Sequence, residues 1–94
     1  MKKQERFDFI ETFLKNDGVH ATVDVLHRDF VDRYIDATNA KFYAMPYGAH
    51  KCPQLGRDLS EMYAAGRLRR WTLGLDGMSG YGFPRWVYVY RLPL

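Results

Sequence analysis

CPQLGRDLSEMYAAGRLRRWTLGLDGMSGYGFPRWVYVYRL, residues 52–92, reads as a helix, a strand, a glycine-rich loop and a second strand. Leu55, Leu59 and Met62 recur at i, i+4 and i+7, the spacing of one buried helical stripe. Pro53 suits the first turn, where its missing N–H leaves no helical bond unmade. Gly66 stands where a left-handed C′ residue belongs, so the helix is predicted over 53–65. Away from the stripe lie Gln54, Arg57, Ser60, Glu61 and Ala64, a face of small and polar residues. Residues 68–75 and 85–92 have the length and alternation of two paired strands. On the second strand Trp86, Tyr88, Tyr90 and Leu92 share one side, with Val87, Val89 and Arg91 on the other. The connection 76–84 (DGMSGYGFP) holds three glycines. It is too long for a two-residue hairpin turn and is expected to project.

Upstream, residues 4–16 have a helical stripe of Phe7, Ile10 and Leu14, flanked by Phe9 and Phe13, with Glu5, Asp8, Glu11 and Lys15 facing water. Asp17-Gly18 is a stop signal. Residues 19–23 (VHATV) are short and β-branched, suited to one strand joining a sheet edge. Asp24 is placed to cap a second helix over 25–37, because its carboxylate accepts otherwise unpaired N–H groups. Leu26, Phe30 and Tyr34, with Val31 and Ile35, form its apolar side. Residues 38–51 read as an ordered loop with a short extended piece at 41–44, pinned by Phe42, Tyr43 and Tyr47.

With 94 residues, the chain is long enough for one domain, 1–94, and no more. A hydrophobic fraction of 47% with 16% aromatics supports a packed core without metal or disulfide help. The single cysteine, Cys52, excludes an internal disulfide and a four-thiolate zinc site, and fits a reducing, cytoplasmic setting. The opening Met1-Lys2-Lys3-Gln4-Glu5-Arg6 leads into acids rather than a long apolar run, so neither a secretory signal nor a membrane span is expected. Residues 1–40 carry six Lys/Arg and eight Asp/Glu; residues 41–94 carry eight and three, within a net charge of +3. A basic half beside an acidic half is expected where one face meets a polyanion.

Several chemistries are disfavoured by spacing. Gly77, Gly80 and Gly82 lie between two strands, whereas phosphate-cradling loops run from a strand into a helix N-terminus. His50 and Cys52, with His20 or His27, match no zinc module, so no metal is expected. Cys52 has no positioned base, and no carboxylate pair, triad or cofactor motif stands out. Neither an enzyme nor a cofactor is expected.

The order helix, short strand, helix, helix, two-stranded wing resembles the winged helix-turn-helix DNA-binding family across nearly the whole chain. The resemblance is carried by Leu55-x3-Leu59-x2-Met62-x3-Gly66-x-Leu68-x-Arg70 and by the strand ending Val87-Tyr88-Val89-Tyr90. The chain is also similar to the small winged-helix proteins of phages and prophages. An α+β fold is implied, with three helices and a small antiparallel sheet made of a two-stranded wing and one short strand. One departure is the link between the second and third helices, roughly fourteen residues in place of a few.

The resemblance implies a sequence-specific binder of double-stranded DNA, a small transcriptional regulator with 53–65 as recognition helix and 76–84 as wing. Gln54 and Arg57 would read bases, since Gln pairs with adenine and Arg with guanine. Ser60 and Glu61 share that face, where Glu61 repels phosphate unless it accepts from a cytosine amino group. Lys51, Arg67, Arg69 and Arg70 are the backbone candidates, although strand alternation puts Arg69 and Arg70 on opposite sides. Ser79, Tyr81, Phe83 and Arg85 belong to the wing, with Arg85 suited to a minor groove. A module this small buries little DNA, so a homodimer on a two-fold site is expected. The rival is a protein-interaction module docking through the aromatic strands and acidic helices, because Tyr and Trp are favoured at interfaces. RNA stacking on Tyr88 or Tyr90 ranks third, since about three strands are expected where common RNA-stacking sheets have four.

Overall fold

The computed structural model describes residues 1–18, 21–46, 48, 50–75 and 84–93. Its helices are α1 (Lys3–Asp17), α2 (Arg28–Thr38) and α3 (Pro53–Ala64). Its strands are β1 (Tyr43–Ala44), β2 (His50–Lys51), β3 (Arg69–Gly74) and β4 (Trp86–Arg91). They form two small antiparallel sheets, β1–β2 and β3–β4. The architecture is α+β.

Each helix buries the stripe its spacing predicts. Phe7, Ile10 and Leu14 of α1 meet Phe30, Val31, Tyr34 and Ile35 of α2 and Leu55, Leu59 and Met62 of α3 in one core. Val23, Cys52, Leu68 and Tyr90 close it from the loops and the sheet. Burying such side chains is worth about 1.5–3 kcal/mol each, which drives the helices together.

The end of α3 is a Schellman turn. Gly66 has φ +77°, Arg67 N–H donates to Met62 C=O at 2.8 Å and Gly66 N–H to Tyr63 C=O at 3.0 Å. These bonds satisfy orphan carbonyls of the last turn and redirect the chain into β3.

The start of α2 differs from expectation. Asp24 does not cap it. Its Oδ1 accepts from Leu26 N–H at 2.7 Å, forming a local turn, and the helix begins at Arg28 with His27 Nδ1 accepting from Phe30 N–H at 3.1 Å. The cause lies one residue upstream, where Val23 exchanges two backbone bonds with Tyr90, at 2.9 and 2.8 Å. The chain must turn away from β4 before it can coil.

That bridge is what the expected strand at 19–23 becomes: a single antiparallel pairing at Val23, with residues 19 and 20 outside the described set. The 38–51 segment holds more order than a loop, pairing Tyr43 with Lys51 and Ala44 with His50. Its aromatics are not core pins. Phe42 and Tyr43 are 48% and 59% exposed, and Phe42 instead packs on the His50 ring at 4.7 Å. Tyr47 lies outside the described residues.

Candidate nucleic-acid interface

A buried polar hub sets the rotation of α3. Asp58 shares the inward stripe with Leu55, Leu59 and Met62 and is 2% exposed. Arg6 of α1 grips it through Nε at 2.8 Å and Nη2 at 3.1 Å, and the Tyr34 hydroxyl of α2 donates to it at 2.6 Å. Gln54 Nε2 in turn donates to the Tyr34 oxygen at 3.0 Å. The bond to Asp58 holds the Arg6 pKa above its ordinary value, and burial, aided by Asp58, pushes the Tyr34 phenol well up. Three helices are thereby bolted together at one carboxylate.

With Asp58 inward, residues two positions either side fall on the opposite face, since each residue turns the helix by about 100°. Gly56 is half-buried there; Arg57, Ser60, Glu61 and Ala64 are exposed. This ridge stands between two grooves. One, of about 400 Å³, lies between Arg57 and the Asn39–Lys41–Tyr43 stretch. The other, of about 270 Å³, lies between Gly56 and Ser60 on α3 and Trp86 and Tyr88 on β4.

The structure separates the sequence candidates. Arg57 is exposed and, among the described residues, makes no ion pair. Ser60 is exposed beside it. Gln54 is half-buried, its amide nitrogen committed to Tyr34. Glu61 pairs with Lys3 at 3.0 Å, which neutralises the acid on the ridge. Lys51, one residue before the α3 cap, is exposed, as are Arg69 and Arg85.

Arg67 is not available to a phosphate. It turns back onto α1, bonding Gln4 at 2.9 Å, Asp8 at 3.0 Å and Glu11, with its guanidinium over the Phe7 ring. Three acceptors on one helix outcompete solvent for an arginine that follows the Schellman turn. Arg70 is also engaged, with its guanidinium carbon 4.0 Å from the Tyr63 ring centre and 3.9 Å from that of Tyr88. The wing candidates Ser79, Tyr81 and Phe83 lie outside the described residues.

Cys52 is buried and burial pushes its thiol up, away from the thiolate a nucleophile needs. His50 Nδ1 lies 3.1 Å from Asp32 Oδ1, tying β2 to α2. Among the described residues, no group of His, Cys, Asp and Glu is placed to hold a metal, and no helix is long and apolar enough to cross a membrane.

The hub of Arg6, Tyr34 and Asp58 was absent from the sequence reading. Its signal was Asp58, an acid three residues after Leu55 and four before Met62, on a stripe that should be apolar. Comparison with protein-family models, curated proteins and solved structures returned no match, so the residues themselves carry the functional reading.

Proposed function

We propose that the chain binds double-stranded DNA as a small winged-helix regulator, with α3 entering a groove and the β3–β4 hairpin lying beside it. The observation that carries this reading is the ridge of α3. Arg57 and Ser60 stand exposed on it, small residues on either side allow close approach, and its one acid is already paired with Lys3. The element order supports it too, since Val23 adds a third short rung beside β4.

In this reading Arg57 contacts guanine through its O6 and N7 acceptors, and Ser60 makes a second, less selective base contact. Lys51, Arg69 and Arg85 contact phosphates, which fix register without reading sequence. Gln54 serves inside, holding Tyr34. The β1–β2 hairpin stands in place of the short turn usual between the last two helices, and its Tyr43, with residues 39–41 leading into it, forms the far wall of the Arg57 groove. Two copies on a two-fold site would supply the area one module lacks.

Fluorescence anisotropy on a labelled duplex tests it. Arg57→Ala should cost about 1–3 kcal/mol on the preferred sequence, a site obtained by selection from random duplexes. Gln54→Ala should leave sequence preference unchanged. Retention of full affinity by Arg57→Ala and Ser60→Ala together would remove the reading. The second reading is a protein-docking module, favoured by Trp71, Leu73 and Trp86, which are 41%, 46% and 50% exposed on the hairpin. Loss of duplex binding in all forms of the chain, with a partner captured through Trp71 and Leu73, would move the assignment there.

A further inference from the structure

At the base of the hairpin three arginines line one basin, with no carboxylate among its described lining residues. Arg69 and Arg91 are direct cross-strand partners in the β3–β4 register, so their side chains leave the same face of the sheet. Like charges placed opposite one another are unfavourable unless an anion lies between them. Both line an open basin of about 680 Å³ that also includes Arg70, Tyr63, Trp71 and Pro93. No Asp or Glu is among the described residues lining it.

Two further details point to a ligand. Arg91 Nε is shielded from water and has no acceptor within hydrogen-bonding distance among the described residues. A buried donor of this kind costs free energy unless something accepts from it. Trp71, 5.6 Å from the Arg91 guanidinium carbon, remains 41% exposed, leaving ring surface open at the basin edge. Arg70, which also lines the basin, packs its guanidinium on the Tyr63 and Tyr88 rings.

We propose that this basin is a phosphate-binding site, in which Arg69 and Arg91 close on one phosphate group beside the exposed ring of Trp71. Arginine forks match phosphate oxygens with paired, charge-assisted bonds, and the aromatic ring suits a base or sugar carried on that phosphate. The group can arrive on a free ligand or on a nucleic-acid strand, and the chemistry of capture is the same. The site goes beyond groove reading by α3, because none of its arginines lies on that ridge.

The test is ¹H–¹⁵N spectroscopy of the full chain, following the Trp71 indole N–H and the Arg91 Nε–H. Inorganic pyrophosphate and a mixed-sequence duplex are titrated separately at constant ionic strength. Saturable shifts at both groups with pyrophosphate assign a free-phosphate ligand; shifts with duplex alone assign the strand backbone. In either case Arg69→Gln with Arg91→Gln should weaken binding by about tenfold or more, the loss expected for charge-assisted bonds. Should the double variant not fold, Arg69→Gln alone, at an exposed strand position, carries the same comparison. Absence of saturation with both probes, or an equal Trp71 indole shift in the glutamine variant, overturns the proposal. Saturable pyrophosphate shifts in a native chain whose duplex affinity is the same with Arg57→Ala and Ser60→Ala in place would refute the α3 reading while upholding this site.

Discussion

Asp58 is the residue on which the helices agree. A carboxylate at 2% exposure survives in the core only because Arg6 and Tyr34 meet it with three hydrogen bonds. Such a pair adds little net stability over an apolar core, but removing one partner strands a buried charge. Arg6→Met should therefore lower the free energy of unfolding by about 3–5 kcal/mol, read from urea midpoints with an unchanged slope. Tyr34 makes the hub sensitive to alkali. Its phenol is raised above the ordinary 10.0 by burial first and by Asp58 second. A raised acid contributes stability below its unfolded pKa and loses it as pH climbs through the shifted value. The unfolding midpoint should fall above pH 10 in the native chain, and less steeply in Tyr34→Phe, which has no proton to lose. Identical pH profiles for the two would show that the phenol is not the group responsible.

At the scale of elements, the turn from α3 into β3 decides where the hairpin points. Gly66 adopts φ +77° with nothing within 4 Å of where a Cβ would stand. Alanine there meets no neighbour, so its cost is the left-handed backbone alone, about 1–2 kcal/mol. Thermal melting of Gly66→Ala should show that loss, and Gly66→Asn should recover part of it, since asparagine tolerates this conformation. Arg67 fastens the same turn to α1 through Gln4, Asp8 and Glu11. Its side chain is 26% exposed, so the attachment is only partly screened. Arg67→Ala should destabilise the chain by about 1–3 kcal/mol while leaving the salt dependence of duplex binding unchanged, because the charge already has protein partners. A drop in that salt slope would instead place Arg67 at the interface.

Across the whole molecule, ion pairs between the acidic and basic halves leave the basic half's surplus standing. Arg67 meets Asp8 and Glu11, Lys3 meets Glu61, and Arg6 meets Asp58, each pairing one half with the other. What remains outward near α3 and the hairpin is Lys51, Arg57, Arg69 and Arg85. If the three cations assigned to backbone contacts each neutralise one phosphate, log affinity should fall with log salt at a slope of about −3. Anisotropy titrations across several salt concentrations measure it, and Lys51→Ala should reduce the slope by about 1. A flat salt response would be incompatible with those contacts.

Local spacing was enough to place the three helices and the β3–β4 hairpin. The Leu55–Leu59–Met62 stripe, Pro53, Gly66 and the alternation of Val87 to Tyr90 depend on backbone geometry within a turn or a strand, which neighbouring residues determine. The start of α2 was not legible that way. Asp24 and His27 are both competent caps, and the choice between them follows from Val23 being held by Tyr90, far along the chain. Side-chain roles escaped for the same reason. Gln54 and Arg67 are polar residues that spacing alone turns outward, yet Tyr34 and the acids of α1 draw them in. Periodicity tells which way a residue points from its own helix; only the packed structure decides whether a partner from another element is waiting there.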